Sequence, residues 1–361
     1  MNKPSRRSSG SVTIEDVARE AGVSAMTVSR VINNEQNVRD KTRRQVLEVI
    51  KKLHYSPNAA ARSLAAGEAT HIGLLYSNPS AAYLSQFLVG ALDAARAAGA
   101  HLVIEACQSD DEADQAQTAR HIAEANVEGV ILPPPLSEAV PILTELAVAE
   151  VPVVTVAMGK LYSNALNVRI DDFAAAREVT EYLLSLRHRR IGFIKGHPQQ
   201  IASAERERGF LTAVQAAGLA SDDIMVEQGY FTFRSGLEAA ERLLDRDNRP
   251  TAIFASNDDM AAAVVGVAHR RGLDVPGDLS VVGFDDTAPA TTVWPELTTV
   301  RQPVSTMAGA ALDMLMADLR ARRRGGSPTP AERVLAHELV IRQSTALPRD
   351  TLLRPRAGEN E

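Results

Sequence analysis

The side chains with the most definite chemistry sit close together in Ser24-Ala-Met-Thr-Val-Ser-Arg-Val-Ile-Asn33. Ser24 is a good helix N-cap. Thr27, Ser29 and Asn33 can hydrogen-bond phosphate oxygens, which positions a protein on a duplex without reading its sequence. Arg30 can fork onto O6 and N7 of guanine, whereas Ala25 and Met26 offer only apolar contact, which suits the methyl group of thymine. Helix capping by itself accounts for Ser24 and Thr27, and the two roles coexist, because a helix N-terminus attracts phosphate. The residues of an enzyme are missing by comparison. There is no G-x-G-x-x-G after a strand, no G-x-x-x-x-G-K-[ST], no G-x-S-x-G elbow and no H-E-x-x-H. His188, His197 and His269 are scattered and read as surface or packing histidines. No cofactor, metal or enzymatic activity is expected.

The elements that must present these residues follow from periodicity. Thr13 is an N-cap with Asp16 in capping-box position, and Ile14, Val17, Ala18 and Ala21 then share one helical face. Gly22 supplies a left-handed stop. Val28, Val31 and Ile32 are the inner face of the second helix, and a third starts near Asp40 with Val46, Val49, Ile50 and Leu53 as its stripe. Two short helices joined by a Gly-containing turn are the helix-turn-helix pattern. After Pro57 the Ala-rich 58–67 segment is too short to be a stable helix unaided and reads as a conditional hinge helix.

From His71 the texture becomes alternating strand and helix. Strands HIGLLYS, HLVIEA, GVILP and VPVVTVA alternate with helices Tyr83–Ala98, Asp111–Ala125 and Ser137–Ala149. A polar stretch, Lys160–Asn167, precedes a second set. It consists of strands RRIGFIKG, IMVEQGYF, TAIFAS and LSVVGFDD with helices Ser203–Ala217, Arg234–Leu244 and Asp258–Arg271. Each set predicts a mostly parallel, doubly wound sheet, hence two lobes with a cleft between them. TTVRQPV, a helix Val304–Arg323 and the strand-like RVLAHELVIRQS then cross back, one element completing each lobe.

The 361 residues are too many for one ordinary domain. Residues 1–67 hold 12 Lys+Arg against 6 Asp+Glu, and the remainder 27 against 39, so a basic head is carried on an acidic body. That balance suits a head that meets phosphate and a body that does not. Cys107 is the only cysteine, which excludes an intrachain disulfide and a Cys-based zinc finger, and it reads as a small apolar filler. The start, MNKPSRRSSGS, is polar and basic with no apolar region behind it, so it does not read as a secretory signal. No apolar run approaches the roughly 18 residues of a membrane span. The expectation is a cytoplasmic protein with no membrane partner.

The long, gap-free stretch TIEDVAREAGVSAMTVSRVINNE…VRDKTRRQVLEVIKKLHYSPNAAARSL resembles the head and hinge of the LacI/GalR repressor family. The likeness continues in IGLL, RRIGFI, ASND, VPGDLSVVGFDD and LTTVRQP, covering roughly residues 12–345. It implies a regulator that binds a near-palindromic operator as a homodimer or dimer of dimers, with a core similar to periplasmic sugar-binding proteins. The second helix would then lie in the major groove. Thr42, Asn58 and Ala61 join the DNA-contacting set, and Leu64 would wedge into the minor groove at the operator centre. Arg39 departs from the family, where a small capping residue is common; it weakens the third helix's cap and adds a possible phosphate contact. No heptad-rich tail follows Ala346, which favours a dimer over a tetramer.

The resemblance also implies an effector site between the lobes, at Tyr83, Leu84, Gln200, Ala202, Arg206, Phe231, Asn257 and Asp285. The chemistry suits a mono- or disaccharide: Arg206 and Asp285 for hydroxyls, Asn257 to donate and accept, Phe231 to stack. A surface ion pair is the plain alternative for Arg206 and Asp285. Gln200-Ile-Ala202 stands where purine-binding relatives carry a polar, arginine-bearing stretch, which argues against a purine. The expected organisation is a disordered tail over 1–11, a small all-α helix-turn-helix head over 12–57 and the hinge over 58–67. An α/β core follows, with 70–168 plus 303–330 as one lobe, 169–301 plus 332–345 as the other, and a flexible tail over 346–361. The rivals are a corepressor-dependent repressor or activator of the same family, an extracytoplasmic solute-binding protein, opposed by the complete helix-turn-helix, and an α/β enzyme.

Overall fold

The computed structural model describes residues 13–32, 38–53, 70–107, 111–159, 166–327 and 330–349. The expected tail over 1–11, the hinge, and Asn33, Asn58, Ala61 and Leu64 lie outside them. The chain divides into two units, 1–69 and 70–361.

The first unit holds α1 (Ile14–Glu20), α2 (Ala25–Ile32) and α3 (Asp40–Lys52). Thr13 and Asp16 form the expected capping box, each side chain accepting from the other's backbone N–H. Gly22 takes φ +62°, the left-handed geometry that a side chain would oppose. Val17, Ala18, Ala21, Val28, Val31 and Val46 are buried together as one small core. Gln45 Nε2 donates to the Ala21 carbonyl at 3.0 Å, tying α3 to the end of α1. Arg39 provides no side-chain cap to α3.

In the second unit β1 (His71–Tyr76), α4 (Ala81–Ala98), β2 (His101–Ala106), α5 (Glu112–Glu124), β3 (Gly129–Leu132), α6 (Val140–Val148), β4 (Val153–Val156) and β5 (Leu166–Arg169) come first. There follow α7 (Asp172–Ser185), β6 (Ile191–Lys195), α8 (Ile201–Ala216), β7 (Ile224–Gln228), α9 (Phe233–Leu244), β8 (Ala252–Ala255), α10 (Asp258–Arg270) and β9 (Ser280–Val282). The chain ends with α11 (Ala288–Thr292), β10 (Thr299–Arg301), α12 (Val304–Arg323), β11 (Ala331–Val334) and β12 (Glu338–Val340). The first sheet has the order β11-β5-β4-β3-β1-β2 and the second β7-β6-β8-β9, and every pairing in both is parallel. β10 and β12 pair antiparallel.

Three features differ from the sequence reading. β5 and α7 were not anticipated, because the polar stretch over 160–167 was carried on to RRIGFIKG. Their signals were present: Asp171 caps α7 by accepting from Ala174 N, and Val179 and Leu183 are buried one turn apart. Next, the reading gave 332–345 to the second lobe, yet β11 joins the first sheet beside β5. All four β11 side chains are exposed, so no apolar pattern betrays the placement. Backbone pairing and the Arg169–Glu332 ion pair, Nε to Oε1 at 2.8 Å, hold it there. Finally, the tail expected to loosen at Ala346 is tied as far as Arg349. Ala346 N donates to Ser280 Oγ at 3.0 Å, and Arg349 pairs with Asp278 at 2.6 Å.

α12 packs on α4 and on β3, β4 and β5, within the first-sheet layer. Phe193 of β6 stacks on Phe210 of α8 at 4.8 Å and meets Phe254 of β8 edge-on at 5.1 Å, and all three are fully buried. Burial of each such ring stabilises by about 1.5–3 kcal/mol. Rigid sheets of this kind place the loops at their strand C-termini accurately.

Candidate functional site

In parallel sheets every strand delivers its following loop to the same edge, and ligands bind there. Here those loops from both sheets meet around one cavity, a space of about 440 Å³ that includes its opening to solvent and narrows to about 40 Å³ inside. Asn78, Pro79, Ser80 and Tyr83 follow β1, Pro134 follows β3, and Ala157 follows β4. From the second sheet come Gln200 and Ala202 after β6, Phe231 after β7, Asn257 after β8 and Asp285 after β9, with Arg206 from α8 and Gln302 after β10. Seven of the eight residues expected at the effector site therefore line one cavity. Leu84 does not; it faces a larger neighbouring cleft.

Arg206 is 5% exposed and is not a surface ion pair. Its Nε donates to Asp172 Oδ1 at 2.8 Å, and its Nη1 donates to the Ser256 carbonyl at 2.5 Å. The guanidinium lies 3.7 Å from the centroid of the Phe284 ring and 5.7 Å from that of Phe231. Asp285, 5% exposed, stands 4.0 Å from Arg206 Nη1 and accepts from Gln302 Nε2 at 2.7 Å. Burial pushes the Asp285 carboxyl up to about 7, against the opposing pull of Arg206. Asp258, fully buried, accepts from Thr287 N at 2.7 Å and from Thr299 Oγ1 at 2.6 Å. Burial, reinforced by Asp285, holds its carboxyl well above the usual range.

Asn257 is less free than its type suggests. Its Oδ1 caps α10 by accepting from Met260 N at 3.0 Å, and its Nδ2 donates to the Phe231 carbonyl at 2.9 Å. It positions Phe231, whose φ is +59°. The Phe231 ring lies directly over Gly196, where any Cβ would collide with it. The Tyr83 hydroxyl is buried and has no hydrogen-bond partner among the described residues. Burial pushes its phenol above the ordinary value, so it remains a neutral O–H donor. A buried polar atom of this kind costs free energy until something bonds it. Contacts that join the two sheets' loops include Ser80 Oγ donating to Asp259 Oδ2 at 2.5 Å, Ile201 N donating to Glu138 Oε2 at 3.0 Å and Gln86 Nε2 donating to the Asp286 carbonyl at 3.3 Å.

Asp172, Gln302, Ser80 and Asp258 were missed from sequence. Asp172 lay in the helix that was not anticipated, and the others have no signal beyond a polar type near a strand end. Among the described residues no cluster has the makings of a metal site, and no helix is long and apolar enough to cross a membrane. His188 is the packing histidine anticipated, 1% exposed.

On the head, Ser24 and Met26 are exposed, and Ala25, Thr27, Ser29 and Thr42 are partly so. Thr27 N donates to Ser24 Oγ at 3.2 Å, the capping bond, and the two hydroxyls meet at 2.9 Å. Arg30 is exposed one turn further along α2. All of these except Thr42, which lies on α3, belong to α2 or to its cap.

A three-helix head with a cap-initiated second helix, joined in one chain to a two-sheet ligand-binding core, is the build of a ligand-controlled DNA-binding protein. The comparisons agree. Residues 13–58 match the model of bacterial regulatory proteins of the lacI family, and residues 180–345 that of a periplasmic binding protein-like domain. Catabolite control protein A of Priestia megaterium is 36% identical over 338 residues, spanning 92% of this chain and 99% of its own. The transcriptional repressor PurR of Pectobacterium carotovorum is 34% identical over 318 residues, spanning 86% and 91%. Among solved structures, a complex of the regulator CelR with cellobiose superposes with TM-score 0.69 at 30% identity, over 92% of this chain and 99% of the other. The lac repressor dimer bound to operator and an anti-inducer gives 0.69 at 26%, over 93% and 100%. The chain belongs to the lacI family of bacterial regulatory proteins: it is a DNA-binding transcriptional regulator, not an enzyme.

Proposed function

We propose that this regulator is a cytoplasmic repressor that binds a near-palindromic operator as a dimer and changes its affinity when a sugar occupies the cavity between the two sheets. The observation that carries the sugar is the donor set around that cavity. Arg206, Asp285 and the unpartnered Tyr83 hydroxyl combine charge, acceptor and neutral donor beside the Phe231 ring, which suits a polyol with one apolar face. The head supplies the DNA contacts: Arg30 to a base edge, Ala25 and Met26 to thymine methyls, and Ser24, Thr27, Ser29, Asn33 and Thr42 to phosphates. Asn58, Ala61 and Leu64 of the hinge complete the set. Relatives of known structure include one with cellobiose and one a dimer on operator, which supports the same reading for this chain.

Thermal-shift screening of the intact protein against mono- and disaccharides, repeated with operator duplex, tests the reading, because a ligand of the folded core stabilises it by mass action. A sugar that raises the melting temperature and also shifts operator affinity is expected. Stabilisation by nucleobases and by no sugar would overturn it.

A further inference from the structure

The cavity beside Arg206 is not closed on its outer side. Asn78, Pro79 and Gln200 line both it and a neighbouring cleft with about 1740 Å³ of open space. The outer cleft, like the inner cavity, has walls from both sheets: Leu84 of α4 and Gln115 of α5 on one side, His197, Gln199 and Tyr230 on the other.

The second wall is built rather than incidental. Tyr230 is 46% exposed, a large aromatic left open in a cleft. Its ring meets His197 edge-on, with centroids 5.7 Å apart and planes at 69°. Both sit on loops that Gln228 ties together: its Nε2 donates to the Gly196 carbonyl at 2.6 Å and to the Gly229 carbonyl at 2.5 Å. Tyr230 N donates to Ser235 Oγ at 2.9 Å, which anchors the backbone under the ring. The His197 ring is held in turn, accepting at Nδ1 from Gln199 N at 3.3 Å. A fixed, exposed aromatic ring flanked by amides fits a second pyranose. The C–H face of that sugar removes apolar surface from water on Tyr230, and its hydroxyls meet the side-chain amides of Gln115 and Gln199.

We propose that this cleft is a second sugar subsite, continuous with the first, so that the effector is at least two sugar units long. Its inner unit lies beside Arg206 and Asp285, and its outer unit packs between Leu84 and Tyr230. This rests on the sugar reading above and gives it a length. It also accounts for Leu84, which lies on the outer side of the boundary between the two spaces.

The test is calorimetric titration of the full chain with D-glucose, D-galactose, D-xylose, cellobiose, lactose, maltose and xylobiose. At least one disaccharide is expected to bind roughly tenfold more tightly than its component monosaccharides. Tyr230→Ala should remove most of that advantage and leave the monosaccharide's affinity and operator binding unchanged, while Tyr230→Phe should keep it. Because Tyr230 is half exposed, the variant should fold, and its melting curve checks this. Monosaccharides binding as tightly as every disaccharide, or Tyr230→Ala weakening both equally, would overturn the second subsite while leaving a one-sugar site standing. Failure of all seven sugars would remove the sugar reading itself and the subsite with it.

Discussion

Arg206 Nε donates to Asp172 Oδ1 at 2.8 Å, between two side chains that are each less than a tenth exposed. Asp172, rather than Asp285, is the nearest carboxylate to Arg206. Breaking a buried pair by removing one partner leaves an uncompensated charge and costs about 3–5 kcal/mol. Arg206→Ala is therefore expected to lose both effector response and stability on that scale. Asp172→Asn, which keeps a hydrogen-bond acceptor, should cost less. Urea denaturation of the two variants, with effector titration of each, checks this; an Arg206→Ala protein of wild-type stability would mean the pair is not what holds the arginine.

Asp285 gives a pH dependence of known sign. Its carboxyl titrates near 7 in the fold against 3.8 unfolded. The folded protein therefore keeps a proton that the unfolded chain releases, and stability falls as pH rises from about 4 through 7. Asp285→Asn, uncharged and tolerant of the φ of +111° at this position, should show a stability advantage over wild type that grows across that window and levels off above it. Melting temperatures of both proteins between pH 5 and pH 8 measure the difference, and a difference independent of pH would show that the carboxyl titrates normally.

His188 acts in the opposite direction. Its Nε2 lies 2.9 Å from the Ala346 carbonyl, which only accepts, so that nitrogen carries the hydrogen and Nδ1 accepts from Thr251 Oγ1 at 2.9 Å. Burial pushes its pKa down to about 4 from 6.5. Its contribution is complete above 6.5 and is lost as pH falls towards 4, about 3 kcal/mol in all. The wild type should lose stability relative to His188→Asn as pH falls through that range. Parallel denaturation curves for the two proteins from pH 7 to pH 4 would contradict the assignment.

On DNA, Arg30→Ala is expected to weaken cognate operator binding by about 1–3 kcal/mol and scrambled duplex binding much less. Its exposure one turn into α2 motivates this. Equal losses on both duplexes in a salt-matched titration would reduce Arg30 to a phosphate contact.

Short-range rules carried much of this protein. The Thr13–Asp16 capping box, the left-handed Gly22, the apolar stripes of α1, α2 and α3 and most of the strand–helix alternation depend on residues within a turn or two of each other. Those periods are written directly in the residues. That seven of the named residues would line one cavity was also legible, because strand ends in parallel sheets are where ligands bind, and the family motifs marked which ends. The pairings were not. Asp172 meets Arg206 across 34 residues and Gln302 meets Asp285 across 17, and β11 reaches β5 through backbone bonds with no buried side chain to mark it. Leu84 and Tyr83 are neighbours in sequence, yet they face different spaces, because successive helical side chains point about 100° apart. Which side chain meets which is settled by how the helices, loops and sheet edges pack, and that depends on the whole packed core rather than on any segment of it.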